Sequence, residues 1–348
     1  MNIAFYIDEM NFRGVANSTF QYAFYNEKIL KNKSIIFYNK NNYRNNKEVI
    51  HKFKKKFKIN SISSFKEIDN YKKKYSIDFL YTQKSGNKDN WISNEIKTLV
   101  HSVYPQKINQ IHGHNYAYVS EWLSHEFSNK KIPFIPYIVE NKKTKNNLKK
   151  KLKINHDKVI IGYHGGESSF DINFAQSALL NIVKKRKDII FLFLNINKFC
   201  NHPQIIFLKG TTNEIYKKSF INTCDAMIYA RSLGESFGLA CGEFAIHNKD
   251  IISYRFNRHK SHKYNTNNKY YIEYDSYKSL CSILLNYKKK NKIQNNKYKN
   301  YSNKKIMDIF KKVFLSKKKV IKITNIDRLI NYYNYLKNEL LLFKIQNL

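Results

Sequence analysis

The sequence predicts an α/β protein built as two doubly wound domains, and three observations predict it. Short, nearly continuous apolar runs recur along the chain, as strands covered on both faces require. Helix-length segments separate them. A basic stretch almost without large apolar residues, 141–157, divides the runs into two sets. With 348 residues, 42% hydrophobic and 15% aromatic, the chain is too long for one ordinary core and too apolar to be disordered. Ten Gly, four Pro and no fixed-period repeat exclude collagen-like and solenoid classes.

The first domain, 1–140, opens with an apolar run from Asn2 to Asp8 and a second from Ser34 to Asn39, with room for one helix between them, a βαβ beginning. Further strands are expected at Ile77–Thr82, Lys97–His101, Ala117–Ser120 and Ile132–Ile135, with lysine-rich helices such as His51–Lys58 between them. The interdomain linker is expected at 141–157. The second domain, 158–315, restarts with KVIIGYHGG at Lys158–Gly166. It continues with strands at Ile189–Asn195, Gln204–Gly210, Asp225–Ala230, Asp250–Tyr254 and Lys269–Tyr274. A tail, 316–348, reads as one or two amphipathic helices from Val320 onward. In such folds ligands bind at the carboxyl ends of the strands.

Sixty-three Lys and Arg against 26 Asp and Glu leave a net charge of +37, a field that attracts polyanions. Only seven of the cations are Arg, the residue that base readers and phosphate clamps favour, so dedicated nucleic-acid binding is not expected. The same field leaves peripheral contact with an anionic membrane open. Cys200, Cys224, Cys241 and Cys281 have neither C-x-x-C spacing nor clustered histidines, which points to no zinc site, no disulfide framework and a reducing cytoplasm. The first ten residues carry acids and no apolar leader core, and no apolar run approaches the ~18 residues of a membrane span.

The stretch richest in chemistry is YARSLGESFGLACGEFA, Tyr229–Ala245. A strand ends near Ala230, a glycine-containing loop follows, and a helix starts at Gly238 or Leu239. Free amides and a helix start of this kind suit a diphosphate. Glu235 and Glu243 at either end are placed to accept hydrogen bonds from sugar or ribose hydroxyls, unless they serve only as acids near a helix start.

In these residues the sequence resembles the retaining glycosyltransferases of the two-Rossmann-domain (GT-B) architecture, family four in particular, whose signature is E-x7-E with F-G-L inside it. Glu235, Ser236, Phe237, Gly238, Leu239 and Glu243 match it as they stand. The resemblance implies that Glu235 holds hydroxyls of the donor sugar, that the Phe237–Leu239 amides face the sugar and diphosphate, and that Glu243 holds the nucleotide ribose. HGHNYAYVSEWLS at His112–Ser124 looks like the family's passage from the acceptor-side domain toward the linker. NFRGVA at Asn11–Ala16 sits where a family loop approaches the donor phosphates, which nominates Gly14. GYHGG at Gly162–Gly166 sits where a second loop meets them, which nominates Gly165 and Gly166. Many members carry an Arg and a Lys in that second loop, and this chain does not. Arg231 is the substitute candidate and Lys209 the second choice. His101 ends a strand where the family commonly has an active-site histidine, and His112 and His114 flank Gly113 in a second such place.

The resemblance covers most of residues 1–285. It implies two Rossmann-like domains facing each other across a cleft, a nucleotide-sugar donor, a glycan, lipid-linked or protein acceptor hydroxyl, retention at the anomeric carbon, and neither metal nor cofactor. A place in glycan or polysaccharide biosynthesis follows. No G-x-G-x-x-G or P-loop supports a dehydrogenase or an NTPase, and nothing nominates the flanking carboxylate pair of a glycosidase. The rival reading is a non-catalytic basic protein on the same fold that binds nucleic acid or anionic glycans.

Overall fold

The computed structural model describes residues 1–140, 144–266, 271–289, 295–317 and 321–346. The chain divides into two compact units, Met1–Ile138 with Tyr301–Leu348, and Val139–Asn300.

The first unit runs β1 (Asn2–Ile7), α1 (Gly14–Lys28), β2 (Lys33–Asn39), α2 (Lys47–Lys54), β3 (Lys58–Ile62), α3 (Lys72–Tyr75), β4 (Phe79–Lys84), β5 (Lys97–Ser102), β6 (Asn115–Tyr118) and α4 (Glu121–Ser128). Its six strands form one parallel sheet in the order β3-β2-β1-β4-β5-β6. Central strands such as β1 and β4 are buried along nearly their whole length, because helices cover both faces of a parallel sheet.

The second unit runs β7 (Val159–His164), α5 (Asn173–Lys185), β8 (Ile189–Leu194), β9 (Ile205–Leu208), α6 (Glu214–Thr223), β10 (Ala226–Tyr229), β11 (Gly234–Glu235), α7 (Leu239–Ile246), β12 (Asp250–Tyr254), β13 (His259–Lys260), α8 (Ser261–Asn265), β14 (Tyr271–Tyr274) and α9 (Tyr277–Asn286). Its six-stranded sheet has the order β14-β12-β10-β7-β8-β9, and β11 pairs with β13 in a separate ladder. Counted within its own unit, this is the order of the first sheet over again. The chain then returns to the first unit as α10 (Asn303–Phe314) and α11 (Asn325–Gln346).

Several expectations move. Ile132–Ile135 is not a strand; only Phe134 bridges to Tyr118, since Pro133 and Pro136 bring no N–H to a ladder. β3 was not expected, because KINSI is an exposed, polar edge sequence. The lysine-rich helix begins earlier, at Lys47, where the Asn46 side chain accepts from the Glu48 and Val49 amides at 2.9 and 3.3 Å. In the expected linker, 141–143 lie outside the described residues, while Leu148 and Ile154 are buried in the second unit and the Leu148 amide donates to Thr223 Oγ1 at 2.7 Å. Lys269, Tyr270 and Val320, in the expected last strand and tail, also lie outside the described residues. The return to the first unit starts at Tyr301, not at the expected 316. It does so because Ile306, Met307, Phe310 and Phe314 of α10 are fully buried there, with Phe310 5.4 Å from the Tyr22 ring and 5.6 Å from Tyr81.

Candidate functional site

An open parallel sheet leaves a crevice at the strand carboxyl ends where its order reverses. In the second unit that point lies between β7 and β10, which pair directly. β7 ends at His164 and is followed by Gly165-Gly166, and the segment after β10 leads through Arg231 to Glu235. The two stretches singled out from the sequence therefore meet at one end of one sheet. Tyr163 and Tyr229, side by side on these strands, have ring centroids 5.9 Å apart.

Among the described residues Glu235 is held at one of its two oxygens. The Tyr229 hydroxyl and Arg231 Nη1 both donate to its Oε1, each at 3.1 Å. Arg231 and Glu235 keep 27% and 20% of their side-chain surface exposed, so the pair is reachable by a ligand. The Arg231 carbonyl accepts from Asn257 at 2.6 Å, and Asp171 takes the Ser232 amide at 2.7 Å and its hydroxyl at 3.2 Å. Asp171 is thus a clamp on the Arg231–Ser232 loop.

Glu243 comes from the second turn of α7. Lys217 Nζ, on α6, donates to its Oε1 at 2.7 Å. His164 Nε2 lies 3.0 Å from its Oε2, an approach outside hydrogen-bond geometry. Burial alone would raise the Glu243 carboxyl, but the Lys217 ammonium and then His164 outweigh it and hold the group well below the usual carboxylate range. Burial likewise works against the Lys217 ammonium, and Glu243 and Glu214 more than offset it. Local order never hinted at Lys217 or His164: Lys217 stands 26 positions before Glu243, and His164 carries no spacing that marks it. Only the meeting of α6, β7 and α7 nominates them.

Gly238 precedes α7 with φ +84°, and a Cβ there would lie 2.8 Å from both His262 Cβ and the Tyr298 hydroxyl. It turns the chain into the helix with no side-chain cap. Phe237 is buried against Tyr298, whose hydroxyl donates to the Phe237 carbonyl at 3.1 Å, while Ser236 and Leu239 stay half-exposed. Gly165 is needed for close approach, since a Cβ would fall 2.5 Å from Ser169 Oγ. The buried Tyr163 hydroxyl donates to that oxygen at 2.9 Å, and Ser169 in turn donates to the half-exposed Gly166 carbonyl at 2.6 Å. Tyr163, near the end of β7, thus braces the loop. Lys209 is exposed beyond β9, the sheet edge two strands from β7.

Gly234, Ser236 and Gly238 also satisfy G-x-S-x-G, the pattern of a hydrolase nucleophile elbow. Among the described residues Ser236 has no histidine partner, and the neighbouring Glu235 oxygen is taken by Tyr229 and Arg231.

Gly14 and His101 lie in the first unit. Gly14 opens α1 with no atom within 4 Å of a Cβ built on it, so its backbone is approachable from outside. His101 is where expectation fails. It is fully buried; its Nδ1 accepts from the Tyr81 hydroxyl at 2.7 Å and its Nε2 donates to the Ile135 carbonyl at 3.0 Å. Burial pushes the ring down to about 3, so it is a neutral core histidine with both nitrogens engaged, closed to a substrate. His112 is half-exposed and sits between the Gln110 carbonyl at 2.6 Å and Lys84 Nζ at 3.0 Å, and His114 lies against Phe79.

No protein-family model matches the sequence, and no curated protein matches it. Solved structures do. A Rickettsia africae glycosyltransferase is 17% identical with a TM-score of 0.60, covering 98% of both chains. Anabaena HepE in complex with UDP-glucose is 9% identical at 0.60, covering 97% of this chain and 99% of that one. A candidate UDP-N-acetylglucosamine 2-epimerase from Listeria monocytogenes is 10% identical at 0.59, covering 93% and 99%. The chain has the fold these proteins share, two parallel α/β sheets of the GT-B type, over nearly its whole length.

Proposed function

We propose that the chain is a glycosyltransferase that moves a sugar from a nucleotide-sugar donor to an acceptor hydroxyl, with retention, in glycan or polysaccharide biosynthesis at an anionic membrane surface. One observation carries the reading: Glu235 and Glu243 reach the ends of adjacent strands at the order reversal of the second sheet, each paired with a cation. HepE, of the same fold, is a complex with UDP-glucose.

In this reading Glu235 offers Oε2 to donor-sugar hydroxyls while Tyr229 and Arg231 fix Oε1. Glu243 takes the ribose. The Gly165–Gly166 loop and the start of α7 face the diphosphate. Arg231 and Lys217 offset both carboxylates, so the leaving diphosphate meets no excess of negative charge as its own charge grows. No resident metal or cofactor enters the scheme. His101 has no place in it, and the group beside the transferred sugar on the acceptor side is left to the half-exposed residues of the first unit.

The test is the melting temperature of the protein with a panel of nucleotides and nucleotide sugars, run beside Glu235→Ala and Glu243→Ala. A donor at 100 times its Kd stabilises by about 2.7 kcal/mol. The expected result is that one nucleotide sugar stabilises the wild type, that the variants lose the effect, and that the sugar is transferred to an added acceptor. Epimerised donor without transfer would move the protein to the chemistry of the Listeria neighbour. Equal stabilisation of all three proteins by heparin or DNA, lost with salt, would establish the basic binding protein instead.

A further inference from the structure

The last helix is built the wrong way round for a helix that merely covers a core. A surface helix normally turns its apolar stripe inward. α11 turns polar side chains inward instead: Asp327, Asn331 and Asn338 are 1%, 3% and 4% exposed. Asn331 Nδ2 donates to the Phe127 and Gln106 carbonyls at 2.7 and 2.9 Å, and its Oδ1 accepts from the Ile108 amide at 3.1 Å. Asn334 donates to the Glu126 carbonyl at 2.6 Å. Glu126 and Phe127 stand in the last turn of α4, where carbonyls lack intrahelical partners, so the asparagines of α11 serve as its cap. Among the described side chains, the most buried positions of this helix are therefore polar ones.

The outward face carries Ile326, Leu329, Tyr332, Tyr333, Leu336 and Leu340, each 43–69% exposed. Five of them recur at alternating steps of three and four, one continuous stripe about 21 Å long at 1.5 Å per residue. Arg328 and Lys337 stand exposed on either side of it, Asp327 is buried on the opposite face, and Glu339 is half-buried beside Arg328. No helix among the described residues is long and apolar enough to cross a membrane.

We infer that α11 is a docking face for an anionic lipid surface, lying in the plane of the headgroups with its leucines and isoleucine in the acyl boundary and its tyrosines at headgroup depth. Charge selects this occupant over a second copy of the chain. Two chains of +37 repel, and Arg328 and Lys337 would meet no exposed carboxylate of this helix across a two-fold axis. Anionic lipid supplies the missing charge and solvates the apolar stripe at once. The inference gives the membrane contact of the proposed function a place, and it rests on none of the donor-site chemistry.

The experiment is flotation of the full chain with vesicles of phosphatidylcholine alone or mixed with phosphatidylglycerol, at an ionic strength of about 0.15 M, where general lysine attraction is screened beyond ~8 Å. The wild type should float with the mixed vesicles and far less with the neutral ones. Leu329→Asp with Leu336→Asp should lower that partition at least about tenfold while the melting temperature and its response to donor stay as in the wild type. Should the double variant misfold, Tyr333→Trp gives a second reading, an emission blue shift on mixed vesicles and none on neutral ones. Undiminished binding by a folded double variant, absence of wild-type binding, no blue shift, or a wild-type dimer in sedimentation velocity that the double variant splits would each overturn the inference.

Discussion

At the scale of single residues, the unit that bears the candidate site depends on buried polar groups that stay in one charge state. Glu243 keeps its charge because Lys217 and His164 face it, and Glu235 keeps its orientation because Tyr229 and Arg231 share one of its oxygens. Histidines do the reverse. His101, His259 and His262 are buried and held neutral, each pushed down to about 3 by desolvation first of all. The unfolded chain takes up a proton on each near its ordinary value of about 6.5, which the folded chain refuses. Stability is therefore whole above that value and falls as the pH drops below it, by about 1.4 kcal/mol per pH unit for each histidine. Glu243 adds little in this window, because its depressed carboxyl is ionised in the folded state and, above its ordinary value of about 4.3, largely ionised in the unfolded chain too. Thermal denaturation at pH 7.5, 6.0 and 5.0 should show a steep decline in melting temperature; a flat profile would mean that these rings titrate while buried.

At the scale of elements, the passage from β10 to α7 is the most demanding. It must leave a strand, form the short β11 pairing, and enter a helix through a left-handed residue packed on His262 and Tyr298. Gly238→Ala should cost about 1–3 kcal/mol, from the positive φ and from the blocked Cβ position. It should also abolish donor-induced stabilisation at ligand concentrations that saturate the wild type, because the start of α7 is displaced. Retention of both stability and donor response would show that the turn is looser than its contacts imply. The E-x7-E spacing, the loop and the helix start were all legible from residues 229–245, since strand, glycine and helix signals are local. The cations were only half legible: Arg231 lies inside the stretch, and Lys217 is brought by a different helix.

At the scale of the whole molecule, one topology is used twice with different chain economy. The second unit is continuous, Val139–Asn300, whereas the first is closed by residues that follow it, with α10 laid on Tyr22 and Tyr81. Every donor-site residue named except Gly14 belongs to the continuous unit. Residues 139–300 produced alone should unfold cooperatively and still be stabilised by the nucleotide portion of the donor. Residues 1–138 alone should not fold, having lost the aromatic cover from Phe310 and Phe314. Calorimetry of both fragments checks this, and a stable 1–138 would mean that the return of the chain is an accessory.

The sequence by itself determined two parallel α/β sheets, the place of most central strands, and the loop between Tyr229 and Ala245, because apolar runs, glycines and helix starts act within a few residues of themselves. The edge strand β3 escaped it, and Ile132–Ile135 reads as a strand where only Phe134 bridges, as pairing at a sheet edge depends on the neighbour and not on the run. Tertiary structure alone decided that His101 is core, since a strand-end histidine reads the same whether the cover above it is water or Phe314. It alone brought Lys217 to Glu243 and folded residues 301–348 back onto the first unit. It alone turned the asparagines of α11 inward, leaving the apolar stripe outside: which face of an amphipathic helix meets the protein is set by the carbonyls waiting there, and those belong to α4.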